Sequence, residues 1–562
     1  MTDIIHRITG DFGIWQLRAV LIIFLCKIPS SWFMACVIFT APAPRFNEYY
    51  CADGLPEQEQ PTGVSKFSLH DFYNTAGNYS HHDHCFKEQY NNVTNKYDEV
   101  PCTSFQYIPT DYWSLVTQFN LVCSREIFVA WTQFWHLFGV LMGGISATKL
   151  MLRFSPRNVM LMGMITQIFC GCITGMTSSF NIHCAFRCFS AMCCALMFTA
   201  GQTIFSEITG GKYRLGVATL FDQFWSIGVI LLPGLSSFFS SWVHIYLAIT
   251  FPTVILILLY PWIPDAPRWL LKRDRVEEVE RILIESAGIN DRMWMVPQNL
   301  HEELETLANS LKSEPPPANW WSLWTGPRAK THLIAAHIAW TVYVTNFNGM
   351  LLNIRSFGRE YLNINTIFTG ISEILGCFLA LFFALHTRNK WMSAGIYNIV
   401  AGLIGCLGWF ISDEWSETTR VAVWMVLSSI PKAGVSISQS MLIAGTSELV
   451  PAPKRQIFTF SCIVVARIGL LTAPFINVLK NFDTALSLTA FCVLGLIGGI
   501  ATCFLRSEQI NTNDSAGTDF ERNPNNLCAS STTEDIITTR NGIPSTINVW
   551  TTEPQFSEKT NL

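Results

Sequence analysis

The chain has 562 residues, of which 50% are hydrophobic and only 14% are charged, and its formal net charge is -4. An average soluble domain carries about 25% charged residues, so this composition excludes an ordinary soluble protein and favours several membrane spans. The mildly negative balance provides no broad cationic surface, which excludes a nucleic-acid partner.

Apolar stretches of about 20 residues recur along the chain, and each has the length that a helix needs to cross a lipid bilayer. Because lipid offers no partner for unpaired backbone groups, these stretches predict helices and an all-α membrane fold. We predict twelve spans, near residues 17–40, 127–148, 158–178, 184–205, 216–238, 243–263, 331–352, 365–385, 391–411, 420–444, 457–479 and 484–505. The first apolar run is too long for a signal peptide, so we expect it to remain as the first span.

The connection over residues 41–126 is long and polar. It contains four cysteines, Cys51, Cys85, Cys102 and Cys123. An even number of cysteines outside the spans predicts disulfides in an oxidising compartment, and three pairings remain open. The same connection carries glycosylation sequons at Asn78 and Asn92. These features predict a glycosylated extracellular loop.

The distribution of basic residues orients the spans. An even number of spans places both termini on one side, and short connections on the opposite side, such as 178–183, contain no Lys or Arg. By the positive-inside rule, the terminal side is the cytoplasm, which then holds 1–16 and the linker 264–330. Charge spacing over 275–283 predicts amphipathic linker helices on the inner membrane face. The Asn-, Ser- and Thr-rich end, 506–562, is predicted to be a disordered cytoplasmic tail.

A short motif occurs twice. Residues 206–214 and 447–455 each begin with Ser-Glu and place an arginine seven positions after the Glu. The copies follow the fourth and the tenth span, so the motif recurs after six spans in the same orientation. This recurrence predicts two parallel six-helix halves, 17–263 and 331–505.

Five short sequence motifs resemble those of a known protein family. They are Gly10–Gln16, Asn120–Cys123, Pro264–Leu271, Ala466–Gly469 and Ala473-Pro474. On these motifs, residues 10–506 resemble the organic cation, anion and zwitterion transporters of solute carrier family 22, within the major facilitator superfamily. The match at 264–271 is the most specific, being close to the family's Pro-Glu-Ser-Pro-Arg-Trp-Leu.

The resemblance implies the major facilitator fold, with twelve transmembrane helices in two halves around a central cavity. It also implies secondary transport of a small organic substrate by alternating access at the plasma membrane. We expect a functional monomer in the lipid bilayer, without a cofactor. The coupling ion, if any, is left open.

Two motifs depart from the family pattern. The family has Asp-Arg-Phe-Gly-Arg-Arg between its second and third spans, whereas residues 152–157 are Leu-Arg-Phe-Ser-Pro-Arg. The equivalent connection in the second half, 385–391, also lacks the expected Asp and Gly. In the resembled family these motifs are thought to brace the inner gate, so their loss keeps open a receptor that binds without transporting.

Five charged residues fall inside predicted spans, where a charge costs roughly 2.5–3.5 kcal/mol and usually faces a wet cavity. They are Lys27, Asp222, Glu373, Lys432 and Arg467. Arg467 lies too deep to reach water by snorkelling, and a guanidinium matches a carboxylate with two charge-assisted hydrogen bonds. We therefore expect Arg467 to bind a substrate carboxylate, with a structural pair to Glu373 or Asp222 as the alternative. In the resembled family, Arg at this position accompanies carboxylate substrates and Asp accompanies organic cations.

The other candidate substrate contacts are polar or aromatic. Glu373 either meets a substrate ammonium or balances Lys432, and both are assigned to the substrate site. Lys27 is interpreted as a structural pair or as a snorkelling side chain. Four aromatic residues either pack structurally or stack on a substrate amine: Trp225, Trp340, Tyr343 and Phe347. Asn346 and Asn348 are polar within a span and are therefore predicted to face the cavity.

The repeated motif supplies a candidate gate. Glu207 with Arg214, and Glu448 with Arg455, stand at cytoplasmic helix ends in both halves. We predict that they close the inner gate by ion pairs between the halves, which exist in only one conformer. Arg153 and Asp222 are assigned to the same gate.

No P-loop, metal-ligand cluster or catalytic triad is recognisable, so the sequence predicts neither an enzyme nor a metal or cofactor site. We predict a secondary transporter of small organic anions or zwitterions that carry a carboxylate, of the carnitine or amino-acid kind. The alternatives are an organic cation or amine transporter and a substrate-binding receptor of transporter fold. A channel is disfavoured because no selectivity-filter sequence is present.

Overall fold

A computed structural model describes residues 4–42, 48–52, 85–91, 96–108, 112–211, 213–313, 319–325, 329–357, 360–387, 389–411 and 414–505. All of them fall within one compact unit, Met1–Glu508. The predicted glycosylation sites Asn78 and Asn92 and the predicted tail 506–562 lie outside the described residues.

The described residues form an all-α membrane protein, which confirms the predicted fold class. Twelve helical segments follow one another: Ile14–Thr40, Ile127–Met151, Pro156–Met176, Phe180–Ile208, Tyr213–Ser236, Trp242–Leu259, Ala329–Leu352, Leu362–His386, Lys390–Gly405, Glu417–Gly445, Arg455–Leu470 and Thr484–Cys503. They are called the first to twelfth spans below. Within the described part of the chain, eleven helices are long and apolar enough to cross a membrane. The seventh span is less apolar because it contains His332, His337, Asn346 and Asn348.

In two spans the helix is interrupted four residues before a proline. The first span consists of Ile14–Leu25, Lys27–Ala35 and Val37–Thr40, and Arg455–Leu470 is followed by a separate helix, Ala473–Ile476. Proline has no N–H, so Pro29 leaves the Leu25 carbonyl without its helical partner, and Pro474 does the same to Leu470. In each case the preceding helix ends at that carbonyl. Arg467 therefore lies in the last turn before the break.

Small sheets and two disulfides organise the described part of the loop between the first two spans. Strand Tyr49–Cys51 pairs antiparallel with Phe105–Tyr107, with Tyr49 opposite Tyr107. Strand Phe86–Asn91 pairs antiparallel with Lys96–Pro101. The disulfides join Cys51 to Cys102 and Cys85 to Cys123. This selects one of the three pairings that the sequence left open.

The linker after the sixth span contains three helices, Pro267–Leu271, Val276–Ile289 and Leu300–Ser313. Their apolar sides enclose Ile5 and Ile8 of the N-terminal helix Ile4–Thr9 in one buried cluster. Polar contacts add to this packing. The Asn290 side chain accepts a hydrogen bond from Trp15 N at 3.0 Å and donates one to the Thr9 carbonyl at 2.9 Å. The start of the chain is thereby attached to the linker.

The linker also braces the ends of neighbouring spans. The Trp269 indole donates to the Met151 carbonyl at 2.6 Å, at the end of the second span. Asp265 Oδ1 accepts from Arg157 N at 3.4 Å, at the start of the third span. These contacts explain why the Pro264–Leu271 motif has a specific sequence: its side chains hold the helix ends of the first half.

The two halves share a hydrophobic core only on the side that carries the disulfides, as far as the described residues go. That core combines Val37, Val129 and Ile245 of the first half with Leu351 and Leu470 of the second. Each half also has a core of its own. The buried residues of one core come from the first half, and those of the other come from the second half and include Leu323 of the linker. The core that both halves share therefore lies at one end of the molecule. The fifth and eighth spans, which belong to different halves, also pack together, and Ser226 donates a hydrogen bond to Glu373 there.

Candidate functional site

A cavity of about 240 Å³ lies between the two halves. Its lining comes from the first, second, fourth and fifth spans of one half and from the seventh, tenth and eleventh spans of the other. The charged residues in the lining are Lys27, Asp222 and Arg467. Because both halves bound this cavity, a rocking movement of one half against the other can expose a bound ligand first to one side of the membrane and then to the other.

Arg467 reaches across the cavity to the other half. Its Nη1 donates a hydrogen bond to the Val140 carbonyl of the second span at 3.3 Å. Its guanidinium carbon lies 5.8 Å from the centre of the Phe198 ring. Among the described residues, no carboxylate forms an ion pair with this guanidinium, so neither Glu373 nor Asp222 is its partner. Arg467 retains donor groups for an anionic ligand.

Lys27 and Asp222 form the only acid–base pair in this lining, with 3.0 Å between Lys27 Nζ and Asp222 Oδ1. The Lys27 ammonium also lies near aromatic rings, 4.4 Å from the Phe221 centroid and 4.8 Å from that of Phe198. The interpretation of Lys27 as a structural pair fits this geometry. Asp222, which the sequence assigned to the inner gate, lies instead in the cavity wall. The charges of Lys27 and Asp222 offset one another, which leaves the charge of Arg467 without a counter-charge among the described residues.

The assignment of Glu373 and Lys432 to the substrate site is not supported, because neither residue lines the cavity. The two side chains are completely or almost completely buried and pair with each other, Lys432 Nζ to Glu373 Oε1, at 2.7 Å. Ser226 Oγ donates to Glu373 Oε2 at 2.7 Å, and the Lys432 ammonium bonds to the Phe347 carbonyl. Lys432 Nζ also lies 4.0 Å from the Phe347 ring centroid, and that ring lines the cavity. The pair thus sits behind the wall, and the alternative in which Glu373 balances Lys432 is the one observed.

The aromatic candidates divide into two groups. Trp225, Trp340 and Phe347 line the cavity. Trp340 is fixed there by a hydrogen bond from its indole to Thr446 Oγ1 at 2.9 Å. Tyr343, also a candidate substrate contact, is not part of the lining. It is fully buried, and its hydroxyl lies 3.0 Å from Thr502 Oγ1 of the twelfth span. It therefore packs within the second half instead of facing the cavity.

The two asparagines of the seventh span also differ in their surroundings. Asn348 lines the cavity and donates to the Val344 carbonyl at 2.9 Å. Asn346 does not face the cavity, because its amide donates to the Phe491 carbonyl of the twelfth span at 2.8 Å. Both are polar within a span, and only their position on the helix separates them.

The residues predicted to form the inner gate show contacts within their own halves or with the linker. Glu207 Oε2 accepts from Arg268 N at 2.9 Å, and Glu448 pairs with Lys390. Arg455 Nε donates to the nearby Val450 carbonyl at 3.3 Å. Arg214 and Arg153 are exposed. The ion pairs between halves remain a prediction for another conformer.

Several polar residues in the lining were not singled out from the sequence. They are Ser30, His136, Gln202, Gln439 and Thr459. His136 Nδ1 and Gln439 Oε1 are buried without a hydrogen-bond partner among the described residues. The sequence does contain a signal for them, because a polar His or Gln within an apolar run, like a charged residue, usually faces the interior of the bundle or a cavity. No group of three or more potential metal-ligand side chains is arranged to hold a metal ion in the described ranges.

Comparisons with known proteins agree with this architecture. The family model described as Major Facilitator Superfamily matches residues 124–474. An organic cation transporter-like protein of Drosophila melanogaster is 25% identical, over 89% of each chain. Solute carrier family 22 member 3 of Mus musculus is 24% identical over 84% of this chain and 86% of its own. Solute carrier family 22 member 13 of Homo sapiens is 24% identical over 88% and 89%.

Solved structures give the same fold. The inward open conformation of the xylose transporter XylE from E. coli matches with a TM-score of 0.58 and 12% identity, over 89% of this chain and 98% of that one. The XylE structure bound to 6-bromo-6-deoxy-D-glucose matches with a TM-score of 0.55 and 12% identity, over 86% and 94%. At this identity the likeness concerns the fold alone.

Proposed function

This chain belongs to the Major Facilitator Superfamily and is a membrane transporter, not an enzyme, similar to solute carrier family 22; we propose that it carries small organic anions with a carboxylate group. The proposal depends on one observation. The Arg467 guanidinium faces the cavity between the halves and has no carboxylate partner among the described residues. A buried charge without a counter-charge is costly, and an anionic substrate supplies that counter-charge.

The other charges favour an anion over a zwitterion. A zwitterion needs an acidic group for its ammonium as well as a cationic group for its carboxylate. Asp222, the only carboxylate in the lining, is already paired with Lys27, and Glu373 is paired behind the wall. A zwitterion of the carnitine or amino-acid kind would have to displace Lys27 from Asp222, which makes it the weaker candidate.

Transport by alternating access is part of the proposal. The shared core at the disulfide side supports a conformer closed at that end, and among the described residues the remaining cores of the two halves are separate. Two contacts between halves reinforce the closed end: Asn481 Nδ2 donates to Glu126 Oε2 at 3.1 Å, and the Trp131 and Phe475 ring centroids are 5.4 Å apart. Rocking of the halves would break these contacts and open the cavity to the disulfide side.

Organic cation transport is the second candidate. The names of two Drosophila melanogaster relatives refer to organic cations, and the aromatic rings of Trp225, Trp340 and Phe347 offer faces for a cation. A desolvated cation–π contact contributes about 2 kcal/mol. The positive charge of Arg467 in the same cavity opposes a cationic substrate, which is why we rank this candidate second.

Uptake into expressing cells tests the proposal. Four radiolabelled probes are compared: a monocarboxylate, a dicarboxylate, carnitine and a quaternary ammonium. We expect carboxylate uptake that falls about 10- to 100-fold in Arg467→Ala, the range for losing a charge-assisted hydrogen bond. Arg281→Ala, in the exposed linker, is the matched control for removal of a guanidinium and should leave uptake unchanged.

The alternatives give different results in the same experiment. Uptake of the quaternary ammonium without any carboxylate uptake would select the cation transporter. Binding of a carboxylate to purified protein without accumulation in proteoliposomes would select a receptor of transporter fold. A coupling ion would appear as a dependence of the proteoliposome uptake on a sodium or proton gradient.

We further propose that the protein resides in the plasma membrane as a monomer, with both termini in the cytoplasm and residues 41–126 outside. The distribution of basic residues and the disulfides support this orientation. Removal of N-glycans should increase gel mobility of the wild-type protein but not of Asn78→Gln/Asn92→Gln. An unchanged mobility of the wild type would contradict the glycosylated loop.

A further inference from the structure

We propose that His136 is a second substrate-contacting residue, which hydrogen-bonds to an oxygen of the substrate other than its carboxylate. This inference rests on the proposed function, because it takes Arg467 as the carboxylate site. It narrows the substrate class to carboxylates that bear a second oxygen, such as a hydroxyl or a carbonyl, at a set distance.

The surroundings of His136 point to a ligand contact. The residue lines the cavity, and its Nδ1 is buried without a hydrogen-bond partner among the described residues. Only 1% of its surface is exposed, so its polar atoms have little access to bulk water. A buried polar atom without a partner costs free energy that a ligand or an ordered water can recover.

The second span places His136 next to the carboxylate site. His136, Val140 and Gly144 are spaced by four residues and therefore share one face of the helix. Arg467 Nη1 donates to the Val140 carbonyl, one turn from His136. Four residues of helix rise by about 6 Å. A substrate whose carboxylate meets Arg467 would therefore present a second group to His136 at roughly that separation.

The charge behind His136 favours an oxygen as the second group. Arg187 is buried in the fourth span, and its Nη2 donates to Gln133 Oε1 at 2.7 Å, one turn before His136. Its Nη1 bonds to the Tyr246 hydroxyl, and no ion pair with a carboxylate occurs in the described residues. A neutral imidazole has one donor N–H and one acceptor nitrogen. The positive charge of Arg187 favours the arrangement in which His136 donates to an electronegative atom.

Paired substrates that differ by one oxygen test this inference. Pentanoate and 5-hydroxypentanoate share a carboxylate, and the terminal hydroxyl of the second extends to about the required separation. Both are measured as inhibitors of labelled carboxylate uptake in the same cells, and their ratio of half-inhibitory concentrations is independent of expression level. We expect the wild type to prefer the hydroxy acid about 3- to 10-fold, as for one hydrogen bond.

Three variants separate hydrogen bonding from packing. His136→Phe keeps a ring and should reduce the preference to about 1, whereas His136→Gln retains a donor and should keep part of it. His244→Phe makes the same replacement at an exposed position in the sixth span and should not alter the ratio. If His136→Phe transports too little, binding of both acids to purified protein gives the same ratio.

The outcomes distinguish the two proposals. Inhibition by both acids with a ratio that His136→Phe leaves unchanged would overturn the role of His136 and retain the carboxylate site. Inhibition by neither acid, in wild-type protein that takes up a quaternary ammonium, would overturn the proposed function itself. A wild-type preference for pentanoate would also contradict the second contact, since a buried water would then serve His136 better than substrate does.

Discussion

Gly144 leaves the space that the Arg467 guanidinium occupies. A Cβ atom added at position 144 would overlap with Nη1 of Arg467. The two residues belong to different halves, so the absence of a side chain in the second span allows the eleventh span to extend its charge across the cavity. The position of the charge thus depends on a residue that is not itself part of the cavity lining.

Gly144→Ala should therefore displace Arg467 without removing it. Overlap of this kind typically costs about 1–3 kcal/mol, which the structure relieves by moving the flexible Arg467 side chain. We expect carboxylate uptake to fall at least about 10-fold, toward the level of Arg467→Ala. Kinetic analysis of uptake, normalised to the amount of protein at the cell surface, measures the effect.

A second glycine provides the control for this substitution. An added Cβ at Gly234, in the fifth span, meets no atom within 4 Å. Gly234→Ala should leave uptake unchanged, because alanine is also the better helix former. Normal uptake by Gly144→Ala would show that the guanidinium reaches its site without the space at residue 144.

The pairing of Lys27 with Asp222 predicts a change of charge selectivity. Lys27→Gln would release the Asp222 carboxylate into the cavity, where it can meet a substrate ammonium. We expect a quaternary ammonium to inhibit labelled uptake about 10-fold more strongly in this variant than in the wild type, the scale of a partly desolvated contact between opposite charges. Lys27→Arg keeps the pair and should behave as wild type. Equal inhibition in all three proteins would mean that Asp222 is not accessible to substrates.

The sequence predicted the elements better than their contacts. Hydropathy predicted twelve spans, and eleven of the described helices have the length and apolar composition that a bilayer requires. The same argument identified Arg467 as a charge that requires a polar environment. Both predictions depend on local sequence, which an unaligned chain displays in full.

The direction in which a side chain points was harder to predict. Tyr343 is three residues from Trp340, but it turns toward the twelfth span while Trp340 lines the cavity. Glu373 and Lys432 are 59 positions apart, and only the packing of the eighth span against the tenth brings them to 2.7 Å. Such contacts depend on helix rotation and on tertiary neighbours, which hydropathy does not encode. His136 shows the same limit, because a single imidazole within an apolar run does not reveal whether it faces a cavity or packs inside one half.

The closed end of the molecule predicts a gate mutation. Glu126 contacts two residues of the other half, Lys480 at 3.5 Å and Asn481 at 3.1 Å. Partly exposed pairs of this kind contribute about 0.2–1 kcal/mol, so Glu126→Gln should raise the population of the conformer open at this end by up to about fivefold. A cysteine introduced at Ala130, which borders a small cavity beside this contact, reports the opening through labelling by a membrane-impermeant thiol reagent.

The control for the Glu126→Gln substitution changes Asn481, the residue that donates a hydrogen bond to Glu126. Asn481→Ala removes one hydrogen bond but leaves the charge pair, and should increase labelling less than Glu126→Gln. The parent protein without the Ala130→Cys substitution measures labelling of the native cysteines. Labelling that is the same in both gate variants and the parent cysteine protein would contradict a gate at Glu126.

The linker predicts a pH-dependent contact. His301 in the helix Leu300–Ser313 lies 3.1 Å from Glu280 of the helix Val276–Ile289, and 3.4 Å from Glu305. The hydrogen bond to Glu280, with the nearby carboxylate charges, raises the pKa of the His301 imidazole above its ordinary value of 6.5. Because the folded pKa is raised, this contact stabilises the linker fully below the unfolded pKa, and the contribution is lost as the pH rises through the folded pKa.

Histidine NMR measures this pKa directly. The protein has 12 histidines, and the resonance of His301 is assigned by its disappearance in His301→Gln. We expect a titration midpoint above 6.5 in the wild type and a lower midpoint in Glu280→Gln, because that variant loses the carboxylate that stabilises the imidazolium. Glu302→Gln removes an exposed carboxylate of the same helix and should shift the midpoint less. A wild-type midpoint at or below 6.5 would mean that His301 does not join the two linker helices through its charge.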